Sequence, residues 1–149
     1  MNYRHRLRST ATLMLVAAFG FILAACETAS SMMQDDTLNR AEQLERSGQH
    51  AGAARAYEEL LADADGARAD HYRLLAARSW IKAGQPTRAR LRVEEVSGPL
   101  QAGDLFLWGL VSASLALDEG DPQKALRLLD EAPGSGPSAL MPDYYLVRA

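Results

Sequence analysis

Several residue types are scarce in this chain of 149 residues, and each scarcity excludes a class of protein. Cysteine occurs once, at position 26, so the chain has no second thiol for an internal disulfide. The three histidines and the carboxylates show no spacing typical of metal ligands. No glycine-rich loop follows a strand pattern, which removes the phosphate-binding signature. The sequence therefore predicts a protein that is not an enzyme and that needs no metal, cofactor or small-molecule substrate.

The other residues that could suggest a catalytic or binding site are predicted to be structural. Gly134, Ser135 and Gly136 resemble a serine elbow but lack the strand and helix that such a nucleophile requires, so they are predicted to form a linker. His71, at the start of a predicted helix, is expected to be a surface residue. The run of arginines at 88, 90 and 92 is expected to be a solvated charged face.

Acidic residues are absent from the first 26 positions, where Arg4, Arg6 and Arg8 precede an apolar run over 11–25. A basic start followed by an apolar stretch of this length is typical of a secretion signal, and a membrane span needs roughly 20 apolar residues. Residues 1–25 are therefore predicted to be a signal peptide, cleaved between Ala25 and Cys26. The run ends in Leu-Ala-Ala-Cys, which resembles the lipobox of bacterial lipoproteins.

The lipobox resemblance implies that Cys26 is the site of lipid attachment. Its thiolate would take a diacylglyceryl group, and the new amino terminus would take a further chain such as palmitate. Two or more chains anchor a protein stably, whereas one chain is marginal. Glu27 follows the cysteine, and because Asp at that position favours inner-membrane retention in enteric bacteria, we expect the outer membrane, facing the periplasm. The alternative is an ordinary signal peptide or anchor with an incidental cysteine.

The part that remains after cleavage is acidic. Residues 26–149 carry 13 basic and all 19 acidic residues, a net charge of −6. That balance argues against nucleic acid, whose binders carry a basic patch. Residues 26–36 are polar and are predicted to form a lipidated tether, and residues 37–149 have the length of one domain.

A repeat of 36 residues organises that domain. Shifting the sequence by this offset aligns it with itself without gaps, and such internal periodicity is the signature of a repeat architecture. The matching columns are two of alanine, one of glycine and one of aromatic residues: Ala41, Ala77 and Ala113; Ala53, Ala89 and Ala125; Gly48, Gly84 and Gly120; Tyr72, Trp108 and Tyr144.

Each repeat has the pattern of a helical hairpin. First helices are predicted over 37–47, 69–83 and 103–119, and second helices over 50–62, 86–96 and 122–132. The glycine column suits a left-handed cap at the end of the first helix, and the prolines at 86 and 122 suit the first turn of the second. Residues 143–149 begin the first helix of a fourth, incomplete repeat. The sequence thus predicts an all-α fold of about three hairpins that form a short solenoid. Trp80 and Trp108 are expected to pack between the hairpins.

The hairpins resemble tetratricopeptide repeats, although the usual repeat has 34 residues. A closer resemblance, to the N-terminal domain of LpoA-type outer-membrane lipoproteins, lies in three segments: HYRLLAARSWIKAGQPTRA, LALDEGDPQKALRLL and DYYLVRA. That family activates class A penicillin-binding proteins and also carries a large second domain, so the resemblance implies that these 149 residues correspond to the N-terminal repeats alone. The resemblance implies a membrane-anchored module that regulates peptidoglycan synthesis through such a synthase.

Two questions stay open from the sequence. The same scaffold suits a repeat adaptor for another envelope task, such as outer-membrane protein or pilus assembly. The partner surface is expected on the concave side that the first helices line, because helical grooves bind extended or helical peptides. The candidate partner residues are Arg78, Lys82, Ser114 and Asp118.

Overall fold

The computed structural model describes residues 32–132 and 136–149. The predicted signal peptide, Cys26 with its cleavage site after Ala25, and the linker residues 133–135 lie outside the described residues. Residues Thr37–Ala149 form one compact unit. Every regular element in the described part of the chain is helical.

Within residues 32–132 and 136–149, seven α-helices alternate between first and second helices of a hairpin. The first helices are α1 (32–46), α3 (Gly66–Lys82), α5 (Ala102–Asp118) and α7 (Met141–Arg148). The second helices are α2 (His50–Leu60), α4 (Pro86–Glu94) and α6 (Pro122–Glu131). Short 3₁₀ turns cover Leu61–Asp63 and Ser138–Leu140. The predicted all-α fold of about three hairpins with a 36-residue period is confirmed.

The glycine column ends each first helix in the way the sequence predicts. Gly48, Gly84 and Gly120 have φ angles of +75°, +69° and +78°, a region in which a side chain is strained. The residue after each glycine donates its N–H to the carbonyl five residues earlier, at 2.9 Å: Gln49 to Leu44, Gln85 to Trp80 and Asp121 to Ala116. This pairing satisfies carbonyls that the helix end would otherwise leave open, and it reverses the chain within a few residues.

The two alanine columns lie where the helices of each hairpin touch. All six alanines are at most 1% exposed. Trp80 is fully buried between the hairpins, and its Nε1 donates to Glu58 Oε1 at 2.9 Å. Trp108 is half-buried against the same apolar cluster. Small residues at the contact therefore allow close approach, while large side chains fill the space between hairpins.

Four helices begin earlier than the sequence predicts, α5 and α7 by only one and two residues. Residues 32–36, expected to belong to a non-helical tether, are helical. Met and Gln favour helix, and the carboxylates of Asp35 and Asp36 are favourable early in a helix, so local propensity extends the element without an apolar stripe. Helix α3 begins at Gly66 rather than at residue 69, since Ala67 and Arg68 are good helix formers.

A buried carboxylate fixes the linker between the second and third repeats. Asp70 is 1% exposed, and its Oδ2 accepts the backbone N–H of Gly98 at 2.9 Å. Its Oδ1 accepts from Arg73 at 2.7 Å, so the buried charge is paired as well as hydrogen-bonded. A Cβ at Gly98 would lie 2.8 Å from Oδ2, which explains why glycine occupies that linker position.

We expect Gly84→Ala to lower the free energy of unfolding by about 1–2 kcal/mol, because the new Cβ meets no atom within 4 Å and only the left-handed backbone opposes it. Gly103→Ala is the matched control, since Gly103 has equal space in helix α5 and an ordinary φ. That change should leave stability unchanged or raise it by about 0.5–1 kcal/mol. Urea unfolding measures both, and equal effects would contradict the assigned role of the cap.

Candidate functional site

The first helices α1, α3, α5 and α7 form a surface that we call the A-helix face. At least two cavities open on it in the part of the chain that the structure describes. The small cavity, of about 70 Å³, lies between α3, α5 and α7. Its apolar lining consists of Ile81, Leu110, Val111, Leu146 and Val147, and its polar lining of Arg78, Lys82, Ser114 and Asp143. Leu146 is 78% exposed, so the cavity is open to a partner on the α7 side.

Three of the four predicted partner residues come together at the small cavity. Arg78 and Lys82 reach it from α3, and Ser114 reaches it from α5. Asp118 does not line it and is exposed at the last residue of α5.

The two basic side chains are engaged within the chain. Arg78 Nε lies 2.7 Å from Asp143 Oδ2, and Lys82 Nζ lies 2.9 Å from the same oxygen. The charges of Arg78 and Lys82 are therefore already paired with Asp143, and they hold α7 against α3. Any contact that these two residues make with a partner would use side chains that are already in ion pairs. A partner at this place meets an apolar floor with a rim of paired charges, an arrangement suited to an apolar side chain.

Asp143 is the acidic partner of both basic side chains at this rim. Burial raises the pKa of its carboxyl, but hydrogen bonds from Lys82 and Arg78, together with their charges, outweigh burial and hold the pKa below its ordinary value. The side chain is 20% exposed, so solvent screens the pairs only in part. The carboxylate thus stays ionised at neutral pH and joins two helices.

Glu45 extends the network to α1. Its Oε2 lies 3.5 Å from the Arg78 guanidinium, and its Oε1 accepts the Ser79 hydroxyl at 2.9 Å. The Tyr57 hydroxyl donates to Oε2 at 3.4 Å. Burial, and then the negative charges of Glu45 and Glu42, raise the pKa of Tyr57 well above its ordinary value, so the phenol remains a donor. Arg78 accordingly bridges acids on α1 and α7.

The large cavity, of about 400 Å³, lies between α1, α3, α5 and the segment at 137–140. Leu75, Leu107 and Leu140 contribute apolar surface to it. At one side the His71 Nδ1 lies 2.6 Å from Asp104 Oδ1, which ties α3 to α5. His71 is a half-exposed residue with a carboxylate partner, consistent with its predicted surface position.

The arginine run of α4 is bound to its own chain. Arg88 stacks 4.6 Å from the centre of the Trp80 ring, Arg90 pairs with Glu119, and Arg92 lies 2.9 Å from Glu95. Hydrogen bonds from Arg90 and Lys124 lower the pKa of the exposed Glu119. The three arginines thus contact groups of their own chain, and the expectation of a solvated charged face stays a prediction.

Sequence reasoning missed Asp143 and Glu45, the two acids of the A-helix face that engage Arg78. The repeat gives no signal for either, because the counterparts of Asp143 are Leu107 and His71, and those of Glu45 are Ile81 and Leu117. A charge that occurs in one repeat alone is indistinguishable from a solvated residue until the helices are placed in space.

Within residues 32–132 and 136–149, no group of three or more His, Cys, Asp or Glu side chains is placed to hold a metal ion. No helix in those ranges has the length and apolar character that crossing a membrane requires. Comparison of the chain with family models, with curated proteins and with solved structures finds no match.

We expect Asp143→Asn to lower the free energy of unfolding by about 1–2 kcal/mol at pH 7, since Arg78 and Lys82 lose their shared charged acceptor. Faster hydrogen exchange in the amides of α7 should accompany the loss. Asp130→Asn is the control, because Asp130 also pairs with α7, through Arg148 at 3.2 Å, but is 60% exposed. That change should have little effect.

The Asp143 carboxylate also predicts the direction in which the free energy of unfolding changes with pH. Its pKa is lowered by folding, so its contribution is complete above the ordinary value of 3.8 and is lost as the pH falls through the lower folded value. The unmodified chain should therefore lose more stability on acidification than Asp143→Asn does. Parallel acid titrations of the two proteins, or an unchanged α7 exchange rate, would contradict the role given to Asp143.

Proposed function

We propose that this chain is a lipoprotein held on the periplasmic face of the outer membrane by the acylated Cys26, and that its helical repeats bind and activate a class A penicillin-binding protein. The proposal depends on the lipobox at 23–26 and on the resemblance of the repeats to LpoA-type lipoproteins. The observation that supports an interaction role is the small cavity, where three partner residues chosen from sequence line one apolar opening.

The mechanism follows from the arrangement of the domain. The acyl chains fix one end of the chain at the membrane, and the hairpins form a packed unit in which side-chain rotamers are constrained. A helix or extended segment of the synthase would lie along the A-helix face and insert an apolar side chain between Ile81 and Leu146. Interfaces draw most of their affinity from a few such buried anchors.

The charges around the opening hold the helices in place and do not themselves attract the partner. Asp143 neutralises part of the charge of Arg78 and Lys82, so the rim offers no large unpaired charge to a partner. A partner that buries this rim avoids the desolvation penalty of an isolated ion. We therefore assign recognition to apolar complementarity, with neither a nucleic acid nor a small-molecule substrate as ligand and with no catalytic role for the chain.

The test is a pull-down of the detergent-extracted full chain with the periplasmic part of a class A synthase. We expect capture by the unmodified chain and at least a tenfold loss of affinity for Leu146→Asp, because a carboxylate at the opening blocks an apolar anchor. Leu91→Asp is the matched control, since Leu91 is a 50% exposed leucine of α4 that does not line the cavity. It should bind as the unmodified chain does.

Each outcome bears on a different part of the proposal. Failure of the unmodified chain to capture the synthase would overturn the partner assignment. Capture of an outer-membrane or pilus assembly component in its place would favour the adaptor function. Equal capture by the unmodified chain and Leu146→Asp would move the contact away from the small cavity.

A further inference from the structure

Two large apolar side chains are exposed next to each other at the start of the described chain. Met32 and Met33 are 70% and 71% exposed, and both belong to helix α1. Consecutive helical residues differ by about 100° around the axis, so the two side chains cover adjacent sectors at the start of the helix. Exposed neighbouring apolar residues of this size indicate a contact with another apolar phase.

The short distance along the chain from Cys26 to Met32 indicates that this apolar phase is the membrane. Only residues 27–31 separate the lipidation site Cys26 from Met32. Fully extended, six steps of the backbone span at most about 22 Å, less than the thickness of a bilayer. A chain acylated at Cys26 therefore keeps both methionines close to the surface of the membrane that holds the acyl chains.

We infer that Met32 and Met33 insert into the interface of this membrane and hold the start of α1 against it; the inference rests on the proposed acylation of Cys26. Two methionines alone bind a bilayer weakly. The tether makes their insertion an intramolecular event, with an effective concentration in the millimolar range for a short linker. Flexible, unbranched methionine side chains adapt well to a disordered apolar phase.

The neighbouring charges select the lipid. Asp35 and Asp36 follow Met32 and Met33 by three residues, about 4.5 Å along the helix axis, which places two carboxylates at the level of the headgroups. An anionic headgroup repels these carboxylates, whereas a zwitterionic headgroup with an amine offers them a hydrogen-bond donor. The surface thus fits a bilayer rich in phosphatidylethanolamine.

An environment-sensitive nitrobenzoxadiazole probe tests the insertion in the acylated full chain. The probe is attached through Met33→Cys in one protein and through Gln43→Cys, an exposed position ten residues along the same helix, in the other. In vesicles of phosphatidylethanolamine and phosphatidylcholine we expect a blue-shifted emission and quenching by shallow spin-labelled lipid at position 33 alone. Adding Met32→Asp should abolish the shift, and replacing half of the lipid with phosphatidylglycerol should reduce it at low ionic strength.

Fatty-acid labelling of the same samples, with Cys26→Ser as the unlabelled reference, separates the two ways of failing. A labelled chain whose probe at position 33 is as exposed to water as the probe at 43 would overturn the insertion and leave the anchoring intact. A stronger blue shift with phosphatidylglycerol would overturn the choice of headgroup. An unlabelled chain would overturn the proposed anchoring, and the insertion with it.

Discussion

The close contact of paired alanines within each hairpin is the constraint on which the remaining structure depends. Ala41, Ala77 and Ala113 on the first helices, and their partners on the second helices, are almost completely buried. With only a methyl group at the contact, two helices can approach more closely than larger side chains would allow. The glycine caps reverse the chain in a few residues, so the same contact recurs every 36 residues.

This packing decides what the A-helix face can present. Arg78 and Lys82 lie one turn apart on α3, and their side chains reach the neighbouring first helices. There they meet Asp143, which is 65 residues from Arg78 in sequence, and Arg78 also meets Glu45 on α1. Arg78 on α3 thus joins α1 and α7. The small cavity forms beside these ion pairs, where α3, α5 and α7 meet.

The sequence predicted the structural features that recur in every repeat and missed the charged residues that occur in only one repeat. Alanine and glycine columns recur at one offset, so the helices, their caps and their buried faces could be found, and so could Arg78, Lys82 and Ser114 as residues of one surface. Asp143, Glu45 and the buried Asp70 occupy columns without a recurring charge, and their partners depend on how successive hairpins are placed in space. Asp118 does not line the cavity, although the sequence placed it on the same surface.

We propose that the acylated Cys26 anchors the hairpins to a membrane and that their A-helix face binds a synthase. The central claim about the fold is that alanine at the hairpin contact sets the helix spacing. The free energy of unfolding of Ala77→Leu, compared with Ala67→Leu at an exposed position of the same helix, tests this most directly. We expect a loss of about 1–3 kcal/mol for the buried site and little change for the exposed one. Equal stability of the two variants would contradict the claim.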